Sequence, residues 1–182
     1  NDKEIYQYIP AYRLKDLQIN NSVLCRLKNE DFLDFLVRKD FDTSYNSELS
    51  SINVEKLEKI LNDLKQVNHL DIKKNENVNP TLDNTRDIQV NYAIRKAGDK
   101  LPCFYIKYSF ILTTSKGQSD FTRSVKDIRD FIKNSNSEAK QIVLVDGAGW
   151  IGRQSDLKQA WDYSDFCLNL NHINDLYDII EK

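Results

Sequence analysis

The first third of the chain carries apolar residues at helical spacing. Three stripes of this kind lie between residues 11 and 68, and the last consists of Val54, Leu57, Ile60, Leu61 and Leu64. Intervals of three and four residues place such side chains on one face of an amphipathic helix. The pattern predicts a helical packing layer over residues 1–70.

A polar segment follows from Asp71 to Asn84. It is rich in asparagine and lysine and contains Pro80, a composition typical of a loop. We therefore expect a boundary here, with an α/β core over residues 85–182.

Beyond this segment the hydrophobic period changes from helical to alternating. Apolar residues alternate with polar ones over residues 87–95, and the apolar run Phe104–Leu112 follows after AGDK at positions 97–100. These features predict two strands joined by a hairpin turn.

The remaining segments continue this α/β pattern. Helices are predicted at 119–132, 157–161 and 173–180, and strands at 141–145 and 166–170. The order predicts an α/β sandwich, in which a short mixed sheet is flanked by helices, within one domain over residues 1–182.

Composition supports one folded, soluble domain. Hydrophobic residues make up 40% of the 182 positions and charged residues 30%, which is enough apolar material for a core. The chain has no long apolar run and no signal-peptide pattern, so we expect a cytoplasmic protein without a membrane anchor. Because it lacks methionine and begins with Asn1, we expect a processed start or, preferably, a fragment of a longer protein.

The cysteines and histidines are too few and too scattered for a metal cluster. Cys25, Cys103 and Cys167 lie far apart among apolar neighbours, and His69 and His172 are isolated. The spacing predicts three buried free thiols and excludes a disulfide framework and a histidine-rich metal site.

Charge is distributed unevenly. The formal net charge is −2, yet residues 86–160 carry 13 Lys and Arg against 8 Asp and Glu. A basic middle within an acidic chain is compatible with a nucleic-acid groove, although such a split also arises by chance.

One segment carries a resemblance to a known family. The chain has no phosphate-binding loop, no dinucleotide fingerprint, no nucleophile elbow and no HExxH zinc motif. The segment Val143–Leu157, in which a hydrophobic strand runs into DGAGW and a polar helix, resembles the strand-turn-helix element of type II restriction endonucleases of the PD-(D/E)XK superfamily. The alternative is a tight turn whose tryptophan belongs to the core.

The resemblance implies a magnesium site on the hairpin. The superfamily places an Asp on the first strand and (D/E)-x-K on the second, which makes Asp87 the metal ligand and Lys107 the motif lysine, both facing one side of the sheet. The acidic position then falls on Tyr105; shifting that position to Lys107 moves the lysine position to Ser109. Gln89 on the first strand, or Glu48 from the helical layer, would supply the missing oxygen ligand. The alternative is that Asp87 and Lys107 are ordinary charges at strand positions.

The resemblance also implies contacts with DNA beside the DGAGW segment. The residues expected there come from a serine- and glycine-rich turn, the helix after it, and the DGAGW element itself: Ser115, Lys116, Gln118, Arg123, Trp150, Arg153 and Gln154. Arg123, Lys126 and Arg129 form a basic stripe that would otherwise be a solvated helix face.

Three functions follow from these observations. The first is a Mg²⁺-dependent endonuclease that hydrolyses duplex DNA, for which the resemblance implies a homodimer. The second is a nuclease-like module that has lost a carboxylate and only binds DNA or protein. The third is an unrelated α/β domain.

Overall fold

A computed structural model describes residues 39–79, 87–111, 116–135 and 138–181, with side chains from residue 50 onward. The chain divides into two compact units, Asn1–Ser47 and Glu48–Lys182. Only the start of one helix is described in the first unit. The architecture below is that of the second.

Four helices and five strands make up the described part. The helices are α1 (Lys39–Asn68), α2 (Gly117–Ser135), α3 (Gln154–Tyr163) and α4 (Asp175–Glu181). The strands are β1 (Leu70–Val78), β2 (Ile88–Lys96), β3 (Phe104–Phe110), β4 (Lys140–Asp146) and β5 (Phe166–Leu168). Two short 3₁₀ helices lie at Ala148–Trp150 and Leu170–His172. No helix among these described elements has the length and apolar character needed to cross a membrane.

The five strands form one mixed sheet in the order β1-β2-β3-β4-β5. β1 pairs with β2, and β2 with β3, in antiparallel fashion, whereas β3, β4 and β5 run parallel to one another. The predicted hairpin between β2 and β3 is confirmed, with Asp99 N–H donating to Lys96 O at 3.0 Å and Gly98 at a φ of +90°. The predicted mixed sheet flanked by helices is confirmed.

The prediction of a loop from Asp71 to Asn84 is wrong for its first half. Residues Leu70–Val78 form β1, an edge strand whose register runs from the pair Leu70–Lys96 to the pair Val78–Ile88. Only its two end residues are buried, so its sequence lacks the alternating apolar positions that indicate a strand. Its pairing comes from backbone hydrogen bonds to β2, which do not depend on side-chain type.

One face of the sheet packs against α1 and α4. The helical stripe on α1 is confirmed: Leu57 and Leu64 are fully buried and pack with Ile106 of β3 and Leu176 of α4. The two earlier apolar stripes, before residue 38, lie outside the described residues. This face provides the largest continuous core of the unit.

The other face packs against α2 and α3. Val125 and Ile128 of α2 are fully buried, and the α2 stripe divides between two clusters. One cluster joins Ile128 to Val90 and Tyr105, and the other joins Val125 to Val143 and Trp150. Helix α2 therefore connects the β2–β3 hairpin to the DGAGW segment.

Strands β1 and β2 change face part of the way along. Tyr92 and Ile94 of β2 belong to the α1 cluster, whereas Ile88 and Val90 belong to the α2 cluster. An uninterrupted strand keeps residues two apart on the same face, so the alternation is broken at Asn91. On β1 the paired break falls at Asn75, which has a φ of +53°.

The described cysteines are free, as predicted. Cys103 and Cys167 are each partly buried and form no disulfide. Burial raises the pKa of the Cys167 thiol to about 11. Cys25 lies outside the described residues.

Candidate functional site

The DGAGW segment is a sharp turn that requires glycine. Strand β4 ends at Asp146, and Gly147 takes a φ of 106° and a ψ of 155°, a region populated almost only by glycine. A Cβ atom at Gly147 would overlap the backbone carbonyl of Ile111. That carbonyl accepts a hydrogen bond from Gly149 N–H at 3.0 Å, so the turn packs directly on the chain leaving β3.

The Asp146 carboxylate joins this turn to the segment after β5 through two hydrogen bonds. Its Oδ1 accepts from Gly147 N–H at 2.6 Å, and its Oδ2 accepts from Leu170 N–H at 2.8 Å. The carboxylate therefore has a structural role that the sequence analysis missed. The Asp-Gly pair was a signal for the first bond, but only the fold brings Leu170 nearby.

Trp150 lies in the interior. It is 4% exposed, its ring meets that of Phe121 edge to face at 5.6 Å, and its Nε1 donates to Ser109 O at 3.4 Å. The structure therefore supports the core alternative for this tryptophan and not the predicted contact with DNA.

The start of α2 is bound to the start of α3. Gln118 is fully buried and its Nε2 donates to Gly149 O at 3.2 Å, so it supports the turn and is not at a surface that DNA can reach. Ser119 Oγ donates to the Asp156 carboxylate at 3.3 Å. Ser115, also predicted to contact DNA, lies outside the described residues.

Four of the predicted DNA-contacting residues lie at or near the surface around these two helix starts. Lys116 and Gln154 are exposed, Arg123 Nη1 lies 3.8 Å from Asp120 Oδ1, and Arg153 Nη1 lies 3.5 Å from Asp156 Oδ2. We call Lys116, Arg123, Arg153 and Gln154 the α2/α3 edge. It combines cationic and amide side chains, as a surface that meets phosphates does, although two of its cations face a carboxylate.

The basic stripe on α2 is not a uniform solvated face. Arg129, its last member, donates to Asp165 Oδ2 at 2.6 Å, and the same oxygen accepts from Gln141 N–H at 2.8 Å. Asp165, another residue that the sequence analysis missed, thus connects α2 to β4. Arg129 is a structural residue.

Asp87 and Lys107, the hairpin residues of the predicted magnesium site, are placed by their neighbours along β2 and β3. Asp87 is exposed just before β2, and it alternates with Ile88 and Val90, which face α2. Lys107 lies two residues after Tyr105, which also faces α2, so these two side chains share a face of the sheet. Continued back to Asp87, the alternation of β2 places this residue away from α2, whereas Lys107 lies on the α2 side. The shared face stays a prediction, and the change of face at Asn91 argues against it.

Tyr105, at the acidic motif position, belongs to the core. It is 3% exposed and its ring meets that of Phe131 edge to face at 5.9 Å. Burial raises the pKa of its hydroxyl to about 12. A neutral, buried phenol is not a ligand for a hard divalent cation.

Lys107 and Asn91 bridge the two strands of the hairpin. Lys107 Nζ donates to the backbone carbonyl of Gln89 at 2.5 Å, and Asn91 Oδ1 accepts from Tyr108 N–H at 3.0 Å. Burial lowers the pKa of Lys107. The sequence analysis missed Asn91, because nothing in the β2 pattern indicates that backbone pairing stops beside it.

These residues do not fit the magnesium ion that the resemblance implies. Mg²⁺ prefers carboxylate oxygens, whereas β3 carries the buried phenol of Tyr105 and the ammonium of Lys107 at the motif positions. Within the described ranges no three His, Cys, Asp or Glu side chains lie close enough together to hold a metal. Glu48 lies in α1, ahead of the residues whose side chains are described.

The mixed sheet, its flanking helices and the DGAGW turn define a restriction endonuclease-like α/β protein. A family model described as DpnII restriction endonuclease matches residues 24–180, and the chain belongs to that family. No curated protein and no solved structure matches the chain significantly.

Proposed function

We propose that this chain binds duplex DNA as a component of a restriction system, and that its α2/α3 edge contacts the DNA backbone. The observation that carries the proposal is the family match across all five strands and the DGAGW turn. Helices α2 and α3 present their cationic side chains next to that turn, and neutralising phosphates is the main source of affinity for duplex DNA.

Two activities are candidates for the bound state. The first is Mg²⁺-dependent phosphodiester hydrolysis of the PD-(D/E)XK type, with Asp87 as metal ligand; it would require a homodimer to cut both strands. The second is binding without cleavage by a catalytically degenerate nuclease fold. The burial of Tyr105 at the acidic motif position and the change of face of β2 at Asn91 favour the second.

The binding surface is tested by removing its charges. In Lys116→Ala and Arg123→Ala we expect weaker duplex binding, and each lost phosphate contact should reduce the slope of log K against log salt by about 0.9. Fluorescence anisotropy over a range of salt concentrations measures both quantities.

Lys100→Ala is the matched control for charge. Lys100 lies in the β2–β3 turn, and because β4 runs parallel to β3, this turn is at the end of the sheet opposite the DGAGW segment. The control should leave the salt slope unchanged. Equal slopes in all three variants and the unmodified chain would remove the α2/α3 edge from the proposal.

Cleavage assays separate the two candidates. The unmodified chain and Asp87→Asn are incubated with mixed-sequence duplex DNA in Mg²⁺, Mn²⁺ or EDTA, with Asp99→Asn in the hairpin turn as the control substitution. Binding without cutting in any condition supports the degenerate module. Metal-dependent cutting that Asp87→Asn abolishes and Asp99→Asn preserves supports the endonuclease.

A further inference from the structure

Strands β2 and β3 are paired next to the hairpin turn, and their pairing stops before the far end of either strand. Their register runs from the pair Ile94–Phe104 to the pair Tyr92–Ile106 and stops there. Beyond this point both strands continue, and we call the space between Gln89–Asn91 and Lys107–Ser109 the hairpin gap.

Side chains span the hairpin gap in place of backbone pairs. Asn91 Oδ1 takes the hydrogen bond that a backbone carbonyl of β2 would otherwise accept from Tyr108 N–H. Lys107 Nζ reaches across from β3 to Gln89 O. Both of these oxygens, one from a carbonyl and one from an amide, are therefore already bound to N–H donors.

The charge in the gap is positive. Lys107 is only partly exposed, and among the residues whose side chains are described its ammonium group is held by a carbonyl and by no carboxylate. A divalent cation entering the gap would have to displace the Lys107 donor from Gln89 O and would be repelled by the same ammonium group.

We propose that the Lys107 ammonium is the resident cation of the hairpin gap, so that the hairpin binds no divalent metal and the chain engages DNA without one. The second half of this statement rests on the proposed function, whereas the first half concerns the protein alone. Asn91 and Lys107, which face each other across the gap, are thus the residues that prevent a divalent cation from binding there.

The same geometry indicates how a metal site could be created. Asn91→Asp keeps an oxygen that accepts from Tyr108 N–H, and Lys107→Glu replaces the ammonium with a carboxylate and frees Gln89 O. The double variant N91D/K107E therefore offers three oxygen groups across the gap. The matched control is N91D/K107Q, because a glutamine amide can still donate to Gln89 O and adds no second carboxylate.

Paramagnetic broadening by Mn²⁺ locates metal binding without relying on activity. In ¹H–¹⁵N spectra of the unmodified chain and of N91D/K107Q, substoichiometric Mn²⁺ should leave the amide signals of Gln89, Asn91 and Tyr108 unbroadened. In N91D/K107E the same amide signals should be lost. Broadening at these amides in the unmodified chain overturns the proposal, as does a folded N91D/K107E that shows none. If N91D/K107E does not fold, the titration of the unmodified chain decides by itself.

Fluorescence anisotropy with labelled duplex DNA tests whether the chain binds DNA without a divalent metal. We expect the affinity in EDTA to be at least as high as in Mg²⁺, because Mg²⁺ competes for the phosphates as a counterion. A rise in affinity on adding Mg²⁺, accompanied by Mn²⁺ broadening at the hairpin, overturns the inference. Absence of DNA binding in both buffers contradicts the proposed function and leaves the metal result standing.

Discussion

Gly147→Ala probes the turn after β4, which packs on the chain leaving β3 at Ile111. At a φ of 106° and a ψ of 155° an alanine backbone is strained by about 1–3 kcal/mol. Its Cβ would also overlap the carbonyl of Ile111. Moving that carbonyl weakens the bond from Gly149 N–H and the neighbouring bond from Ile111 N–H to Asp146 O, at about 1 kcal/mol each. The expected loss of stability is therefore about 3–5 kcal/mol.

Gly98→Ala is the control that isolates the steric part of this loss. Gly98 also has a positive φ, but a Cβ there would have no atom within 4 Å. The loss of stability in Gly98→Ala should therefore come from backbone strain alone and amount to about 1–2 kcal/mol. Urea unfolding followed by circular dichroism gives both values, and an unchanged m-value shows that the difference is one of stability. If the two variants lose the same stability, the close approach of Gly147 to Ile111 is not what makes glycine necessary.

Two further predictions concern buried groups in the same unit. Because burial raises the pKa of Cys167 to about 11 from an ordinary value of 9.0, its thiolate fraction at pH 8 should be about a hundredfold lower than that of a free thiol. Alkylation by iodoacetamide, followed on the Cys167 peptide by mass spectrometry, should be slower by that factor and accelerate as pH rises towards 11; a rate at pH 8 equal to that of a free thiol would contradict this. Asp165→Asn leaves Arg129 without its anionic partner and should cost about 1–3 kcal/mol in urea unfolding, whereas Asp162→Asn, which breaks the exposed pair with Lys158, should cost less than about 1 kcal/mol. Equal costs would show that the link from α2 to β4 adds nothing beyond a surface ion pair.

The sequence by itself determined the elements whose signals are local. The stripe Val54–Leu64 predicted α1, alternation and a glycine turn predicted the β2–β3 hairpin, and QIVLV followed by DGAGW predicted β4 and its sharp turn. Each of these depends on residues within one or two turns of each other, and an amphipathic period or a positive-φ glycine is visible in the sequence because burial and backbone sterics act on neighbouring positions. The restriction endonuclease resemblance came from the same kind of signal, a short segment in the correct order of elements.

Only the tertiary structure decided which side chains face each other. β1 is a strand because β2 offers it an edge, and its polar residues carry no apolar period that would show this. β2 changes face at Asn91, where its pairing with β3 stops, so that Val90 and Tyr92 face opposite sides of the sheet although they are two residues apart. Gln118 and Trp150 are interior because α2 packs on the DGAGW turn. Such outcomes depend on contacts between residues distant in the chain, which hydrophobic period and motif spacing do not record.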